Sequence, residues 1–220
     1  MNSIELNTLK DTLNKQGYVI FNLENSEQNL LDIASLFGKI VPGDNGALVQ
    51  QLLAQEKGNG SYGAFSYSVG FNQFPWHTDT AYWDIPIRYL MLASEKPSPC
   101  ATLARTFDSL SSSIEDFLYL SERAVYQLDI PGKRRVLTPI IQQKGMIGFK
   151  FDFHIYKPMN NEAKKLNELM LEQLKLDSHR IVWLGNNVAI IDNWRVIHAR
   201  EDAHNDKKRI LKRVYINELV

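Results

Sequence analysis

The chain has 220 residues, of which 44% are hydrophobic and 23% are charged, the composition of an ordinary globular protein. Its 25 basic and 25 acidic residues cancel, which argues against a nucleic-acid partner and against a polybasic membrane surface. The single cysteine, Cys100, excludes an internal disulfide and a zinc site made of several thiolates. The sequence also lacks a signal-peptide pattern and a run of ~20 apolar residues, so we expect a cytoplasmic protein with one domain, residues 1–220.

The first half of the chain predicts short helices and strands separated by stop signals. Two helices are predicted: one at residues 4–16 that ends at Gly17, and a second that Ser26 can cap and Gly38 ends. The predicted strands and connections are, in chain order, strand 18–21, turn 42–46, strand 48–53, the exposed glycine-rich loop 56–63, and strands 64–69 and 89–93. Pro97 and Pro99 are expected to break the strand pattern, which resumes at residues 102–106.

The second half adds further short strands and two helices. In chain order they are helix 110–120, a strand at 136–141 between turns at 132–135 and 142–145, helix 161–176, a hairpin of strands 181–184 and 188–191 joined at Asn186-Asn187, and the final strand 209–216. Many short strands with few helices indicate a mainly β fold with flanking helices (α+β). Two packed sheets of a cupin-like jelly roll, the double-stranded β-helix, would bring distant strands together around one end of a cavity.

The segment His77-Thr78-Asp79, read together with the distant His198, contains the ligands of a 2-His-1-carboxylate facial triad, which holds Fe(II) and leaves coordination positions open. On an extended strand, residues i and i+2 point to the same side, so His77 and Asp79 can reach one metal while Thr78 points away. A neighbouring strand at residues 192–198 can supply the third ligand. A His-x-Asp pair alone also fits a strand-end histidine that hydrogen-bonds a nearby aspartate.

Two arginines downstream of His198 help to decide between a metal site and a simple histidine–aspartate hydrogen bond. Arg209 follows it by 11 positions and Arg213 by 15, and the spacing of four puts both guanidinium groups on one face of the predicted final strand. Arginines that face inward from a core strand need anionic partners, because a buried charge without a partner is costly. The planar guanidinium suits a carboxylate in bidentate geometry.

With these residues the chain resembles the TauD/TfdA family of Fe(II)- and 2-oxoglutarate-dependent dioxygenases. The resemblance covers about residues 66–106 and 187–216. The family pattern is His-x-Asp, a threonine about 25 positions later, a distal histidine, an arginine eleven residues beyond it, and often another arginine four further on. His77, Asp79, His198, Arg209 and Arg213 meet this pattern with the expected spacing.

The resemblance implies a role for each matching residue. His77, Asp79 and His198 would bind Fe(II) and form the catalytic centre. Arg209 would clamp the distal carboxylate of the cosubstrate 2-oxoglutarate, and Thr102, 25 positions after His77, would hydrogen-bond it. Arg213 would sit where family members bind an acidic group of the substrate, although an ion pair inside the barrel is the alternative.

Thr102 departs from the family pattern in its surroundings. The family usually has a Gly-Gly-x-Thr turn before the cosubstrate threonine, whereas this chain has Pro99-Cys100-Ala101-Thr102, so Thr106 stays a competitor for the same role. The retained Asp79 argues against the halogenating branch of these enzymes, in which that carboxylate is replaced.

Other residues near the motif are candidates for contacts with the substrate. Asn72 and Gln73 precede the motif, and Trp76 adjoins the first ligand, where it can be pocket wall or core. The remaining conspicuous side chains have ordinary structural interpretations as packed or solvated groups: Cys100, His154, His179, His204 and the run Lys133-Arg134-Arg135.

The resemblance therefore implies an enzyme that uses Fe(II), 2-oxoglutarate and O₂ to oxidise a C–H bond of a small, anionic or amino-acid-like substrate, with release of succinate and CO₂. Hydroxylation is the expected outcome, with desaturation or ring closure as alternatives within the family. Two functions of other classes stay open, a cupin-like metal-dependent hydrolase or isomerase and a binding protein with a structural metal. The sequence leaves the oligomeric state open.

Overall fold

The computed structural model describes residues 3–23, 29–59, 68–130, 132 and 134–219. In this part of the chain the paired strands are antiparallel, and few helices accompany them. The predicted class, mainly β with flanking helices, is therefore confirmed. None of the described helices is long and apolar enough to cross a membrane.

The described helices and strands follow one another in short succession. The helices are α1 (Ser3–Gln16), α2 (Leu30–Phe37), α3 (Phe107–Ser113), α4 (Phe117–Arg123) and α5 (Asn161–Leu176). The strands before α5 are β1 (Tyr18–Asn22), β2 (Gly38–Val41), β3 (Gln50–Leu53), β4 (Phe74–His77), β5 (Tyr89–Ser94), β6 (Pro97–Thr106), β7 (Tyr126–Leu128), β8 (Val136–Leu137), β9 (Ile140–Gln143), β10 (Met146–Phe149) and β11 (Tyr156–Pro158). The strands after α5 are β12 (His179–Leu184), β13 (Asn187–Asp192), β14 (Val196–Arg200) and β15 (Ile210–Leu219).

Two sheets face each other across the centre of the molecule. The larger sheet has the order β1-β13-β5-β15-β2, with β3 also paired to β15, and the smaller has the order β12-β6-β14-β4. Apolar side chains from both sheets form a buried cluster between them, among them Leu90, Ala104, Trp183, Ile191, Val196 and Leu211. Two smaller sheets, β9-β10 and β11-β7-β8, accompany this pair.

Helices cover the outer faces of both large sheets. Leu13 of α1 and Phe37 of α2 pack on Met91 and Val214 of the larger sheet. Another apolar cluster, on the outer face of the smaller sheet, contains residues of α3, α4 and α5 together with Ile197 and Ala199 of β14. Since Val196 faces the other way, into the cluster between the sheets, β14 alternates between the two sides as a buried strand must. His198 shares the inward face with Val196.

Several predicted elements agree with the structure. Helix α1 ends at Gly17, which adopts a φ of +80°. Helix α2 ends before Gly38, but its N-cap is Asn29, whose side chain accepts from the Leu31 amide, and Ser26 lies outside the described residues. Helix α5 has the predicted bounds, and strand β5 is buried at every position.

The predicted hairpin of residues 181–184 and 188–191 is wrong. Strand β12 pairs with β6 in the smaller sheet, whereas β13 pairs with β1 and β5 in the larger one. The turn between Leu184 and Asn187 therefore carries the chain from one sheet to the other. Local turn signals cannot distinguish such a crossing from a hydrogen-bonded hairpin.

Three further predictions need correction. Pro97 and Pro99 lie inside β6, at the end where β14 does not pair with it, so their missing amide protons break no ladder on that side. The predicted helix 110–120 is two helices, α3 and α4, separated at Asp116, which has a φ of +61°. Residues 64–67 of another predicted strand lie outside the described residues, and Ser68-Val69 at its end is helical.

Candidate metal centre

Three side chains of the ligand type meet between the two large sheets. Strand β14 pairs with β4 so that His198 lies opposite His77. The Nε2 atoms of His77 and His198 lie 3.3 and 3.4 Å from Oδ1 of Asp79. The ligand atoms of all three residues lie within 4.8 Å of one another. The structure thus brings the three predicted ligands together around one point.

Asp79 reaches this point from a turn, not from the strand that the sequence predicts. Strand β4 ends at His77, and Thr80 adopts a φ of +54° just beyond the aspartate. Thr78 points away, and its hydroxyl accepts from the Phe151 amide at 3.0 Å. His77 and Asp79 therefore point to the same side as predicted, although Asp79 lies beyond the end of the β ladder.

Asn193 holds the backbone of Asp79 in place. Its side-chain Oδ1 accepts from the Asp79 amide at 2.7 Å, and its Nδ2 donates to the Asp79 carbonyl at 2.9 Å and to the Ile87 carbonyl at 2.9 Å. Asn193 is fully buried in the turn between β13 and β14. This turn therefore positions two ligands, Asp79 by hydrogen bonds and His198 by leading into β14.

The two histidines present the correct nitrogen for a metal. Nδ1 of His77 lies 2.9 Å from the Pro75 carbonyl, and a proton donated there leaves the Nε2 lone pair free. Burial, together with the neighbouring His77, lowers the pKa of His198, which keeps this ring neutral. Its Nδ1 is buried and has no hydrogen-bond partner among the described residues. Two imidazole Nε2 atoms and one carboxylate form a donor set that fits Fe(II).

Asp79 stays ionised because positive and polar groups surround it. Burial alone would raise its pKa, but the positive charge of Arg213 holds the pKa well below the usual range. Arg213 donates from Nη1 to Oδ2 of Asp79 at 2.7 Å, and the Tyr215 hydroxyl donates to the same oxygen at 3.2 Å. With Oδ2 engaged in this way, Oδ1 is left to face the histidines.

A cavity of about 350 Å³ opens at the triad. Its polar wall contains the three ligands with Thr102, Arg200, Arg209 and Arg213. Its apolar wall contains Leu52, Leu53, Phe74, Leu90, Leu92, Ala199 and Leu211. The glutamines Gln51 and Gln55 complete the lining. Three arginines and one aspartate thus give the lining a surplus of positive charge.

Arg209 is buried at one side of this cavity beside neutral hydrogen-bond acceptors. Its Nε donates to the Cys100 carbonyl at 2.9 Å and its Nη2 donates to Oγ1 of Thr102 at 3.0 Å. Burial lowers the pKa of Arg209 to about 10, so it is still a cation at neutral pH. No carboxylate of the described residues forms an ion pair with it. A buried cation in this state favours an anion in the cavity.

Arg213 differs from Arg209 because its partners are already in place. It forms the ion pair with Asp79, and both its Nε, at 2.9 Å, and its Nη2 donate to Oε1 of Gln50. Both arginines therefore face inward as predicted, although Arg209 lies just before the first residue of β15. The ion pair inside the barrel, the alternative for Arg213, is present.

The predicted substrate contacts lie elsewhere. Trp76 points to the outer side of β4 and packs in the cluster under α3–α5, because it alternates with His77 on the strand. Asn72 and Gln73 are exposed and do not line the cavity; the Asn72 carbonyl accepts from Nη2 of Arg200 at 2.5 Å. These three predictions are not supported by the geometry.

The remaining candidates also have structural partners. The Thr106 hydroxyl accepts from the Ser109 amide as the N-cap of α3, so Thr102 and not Thr106 lies at the cavity. His154 contacts the Ser68 hydroxyl at 3.0 Å, His179 stacks on Tyr18, and His204 pairs with Asp202. Cys100 is buried with its thiol 3.2 Å from the Glu201 carbonyl, as expected for a packed side chain.

Several polar residues of the site have no individual role in the sequence analysis, among them Gln50, Trp183, Asn193, Arg200 and Tyr215. Asn193 offered a signal, since a polar residue between apolar strands and before the distal histidine has to satisfy its amide inside the protein. Gln50 and Trp183 act through residues far away in the chain, Arg213 and Thr102. No local pattern predicts such contacts.

The sequence matches no protein-family model and no curated protein. Solved structures, in contrast, share the fold across nearly the whole chain. An asparagine oxygenase in complex with Fe(II), (2S,3S)-3-hydroxyasparagine and succinate matches with a TM-score of 0.78 at 14% identity, covering 98% of this chain and 80% of that one. The non-heme iron oxygenase OrfP in complex with Fe and α-ketoglutaric acid matches with a TM-score of 0.76 at 16% identity, covering 99% and 81%.

A third similar structure is the PvcB protein from Pseudomonas aeruginosa, with a TM-score of 0.73 at 18% identity and coverage of 97% and 80%. These neighbours include non-heme iron oxygenases, as the resemblance to the TauD/TfdA family predicts. At such identities the likeness shows the fold.

The triad geometry predicts that His77→Ala lowers the affinity for Fe(II) or Co(II) by roughly a hundredfold or more, since loss of an outer-sphere partner alone costs about 10–100-fold. Anaerobic metal titration measures this. His204→Ala is the matched control, because this histidine is exposed and pairs with Asp202 away from the cavity. Equal affinities of the two variants would contradict the metal assignment.

The Asn193 contacts predict a combined effect on stability and metal binding. Asn193→Ala leaves the buried Asp79 amide without its acceptor, so the free energy of unfolding should fall by about 1–3 kcal/mol. The affinity for the metal should also fall, by about 10–100-fold, because Asp79 is no longer held in place. Denaturant unfolding and metal titration measure the two effects. A loss of stability with unchanged metal affinity would show that Asn193 does not position the ligand.

Proposed function

We propose that this chain is an Fe(II)- and 2-oxoglutarate-dependent oxygenase that hydroxylates a C–H bond of a small, amino-acid-like substrate and releases succinate and CO₂. One observation carries the proposal: the cavity that contains the 2-His-1-carboxylate triad also contains a buried arginine with no carboxylate partner among the described residues. The triad supplies a metal site, and Arg209 supplies a site for a second, anionic compound. We also propose that the facing sheets form the double-stranded β-helix of one domain.

The three metal-binding residues and the residues that orient them have separate tasks in this proposal. His77, Asp79 and His198 hold iron through Nε2, Oδ1 and Nε2. When bound, the iron supplies the activation of O₂ and the oxidation of the C–H bond, with 2-oxoglutarate as the second electron donor. Arg213 and Tyr215 keep Asp79 deprotonated and oriented, because both donate to Oδ2.

Arg209 and Thr102 bind the cosubstrate in this proposal. The guanidinium group attracts the distal carboxylate of 2-oxoglutarate, and the Thr102 hydroxyl donates a hydrogen bond to it. Cys100 supports this arrangement through its carbonyl, which fixes Nε of Arg209. The leucines of the apolar wall exclude water from the reacting groups, which strengthens the electrostatic interactions inside the cavity.

Arg213 is the proposed contact for a carboxylate of the substrate. Its Nε and Nη2 atoms form the edge that binds a carboxylate in bidentate fashion, and Oε1 of Gln50 accepts from both. A substrate carboxylate would take the place of that oxygen. The amino-acid-like class is supported by the neighbours whose structures contain 3-hydroxyasparagine and (3S)-hydroxy-L-Arg.

The proposal predicts O₂ uptake coupled to succinate formation when Fe(II), ascorbate and 2-oxoglutarate are added to the protein. A panel of L-amino acids should contain at least one compound that raises succinate formation above the basal rate, and its α-carboxamide should lose this effect. Mass spectrometry of that compound then distinguishes hydroxylation, a gain of one oxygen atom, from desaturation or ring closure, a loss of two hydrogens. Conversion without O₂ or 2-oxoglutarate would favour a hydrolase or isomerase, and no conversion would favour a binding protein.

The cosubstrate assignment predicts that Arg209→Ala raises the KM for 2-oxoglutarate by about 30-fold or more, because loss of one partner of a buried, hydrogen-bonded charge pair costs at least ~2 kcal/mol. The KM for the amino acid should change far less. Arg105→Ala is the matched control, since Arg105 is also buried but donates to carbonyls of Gln173 and Asp177 outside the cavity. An effect confined to the amino acid would refute the assignment.

A further inference from the structure

The Thr102 hydroxyl has two hydrogen-bond donors aimed at its oxygen. Nη2 of Arg209 donates to Oγ1 at 3.0 Å, and the indole Nε1 of Trp183 donates to the same atom at 3.2 Å. A hydroxyl oxygen has two lone pairs and one proton. Both lone pairs are therefore in use, and the proton can only be donated.

The position of Thr102 decides where this proton goes. Thr102 lies on the face of β6 that points between the sheets, and it lines the cavity next to Arg209. We propose that Trp183 is a positioning residue that fixes the Thr102 hydroxyl as a donor toward the cavity and so tunes this subsite for a carboxylate. The inference rests on the proposed function and adds a residue that does not itself line the cavity.

Trp183 is well suited to this task because the protein holds it rigidly. The indole is 1% exposed and packs in the cluster between the two sheets. Its strand, β12, pairs with β6, and the pairing register shifts between Ile181 and Trp183. This irregularity lies next to the Ile181–Thr102 pair, so the tryptophan and the threonine come from adjacent points of two paired strands.

The consequence is a subsite made of donors alone. Arg209 has no acceptor atoms, and Thr102, with both lone pairs occupied, offers only its proton. A carboxylate accepts from both groups, whereas an ammonium or the NH₂ end of an amide finds no acceptor on them. Without the indole N–H, one lone pair of Thr102 would become free, and the hydroxyl could turn its proton away from the cavity. Trp183 thus contributes both affinity and selectivity for the distal carboxylate.

The test is the dissociation constant of 2-oxoglutarate, measured by anaerobic calorimetry on the Fe(II)-loaded protein, where no turnover occurs. Trp183→Phe should raise it about three- to tenfold, the equivalent of one net hydrogen bond. Tyr126→Phe is the control: this ring is also fully buried and also loses one donor group, which binds Oδ1 of Asn167 at 2.8 Å outside the cavity, and its loss should leave the constant unchanged. An unchanged constant in Trp183→Phe would overturn the inference.

The Thr102→Val variant serves as a second background, which separates the effect of the indole hydrogen bond from the effect of indole packing. In Thr102→Val the hydroxyl is absent, so adding Trp183→Phe should not weaken 2-oxoglutarate binding any further. The second substitution should also cost less thermal stability there than in the wild type, because the indole N–H has already lost its acceptor. A threefold or larger effect of Trp183→Phe in both backgrounds would show that the indole acts through packing alone, and would refute the proposal.

Two further measurements keep the outcome unambiguous. If Trp183→Phe does not fold, the benzothienyl analogue of tryptophan at the same position keeps the shape of the ring and lacks the N–H donor, and the same rise in the dissociation constant is expected. Failure of the wild type to bind 2-oxoglutarate would instead refute the proposed function, and the inference with it. Binding by the wild type with no effect of the analogue would refute the inference alone.

Discussion

The register of β14 is the constraint on which the site depends. This strand lies between β4 and β6, and His198 is paired with His77 on one side and with Ala104 on the other. A shift of one residue would turn His198 outward into the cluster under the helices and bring Ile197 to the metal position. The same pairing places Thr102, two residues before Ala104, on the inward face. One strand therefore fixes the relation between the metal ligands and the cosubstrate side of the cavity.

The turn that precedes β14 connects this register to the third ligand. Asn193 occupies the turn and binds both backbone groups of Asp79, a residue that no strand pairing holds. The polar atoms of a buried turn need partners, and here the partners are the backbone of a ligand. The end of β13, the turn and the start of β14 thus act as one unit. The hydrogen bonds of Asn193 fix the position of Asp79, which the ladder of β4 does not reach.

The sequence was sufficient for the features that depend on spacing along one strand. His77 and Asp79 at i and i+2, and Arg209 and Arg213 at i and i+4, lie on common faces as predicted, because strand alternation is local. The sequence was insufficient where a side chain has a partner in another sheet or turn. Trp76 could be pocket wall or core by the sequence, and only the packing under the helices shows that it is core. The crossing between β12 and β13 looked like a hairpin. Gln50 and Trp183 owe their roles to contacts with Arg213 and Thr102 that only the folded chain creates.

Arg213 of β15 and Arg209, which lies just before this strand, show how similar residues acquire different chemistry from their partners. Arg213 faces Asp79, so its charge is already neutralised, and what it can offer to a ligand is hydrogen-bond geometry. Arg209 faces a carbonyl and a hydroxyl, which accept its protons but leave its charge uncompensated. Because Arg209 is buried, this difference is large: an uncompensated buried charge is far more costly than an exposed one. Binding of an anion beside Arg209 therefore relieves an unfavourable interaction, whereas binding beside Arg213 replaces an existing one. On this argument the cavity takes up the dicarboxylate cosubstrate through charge and selects its substrate through shape and hydrogen bonding.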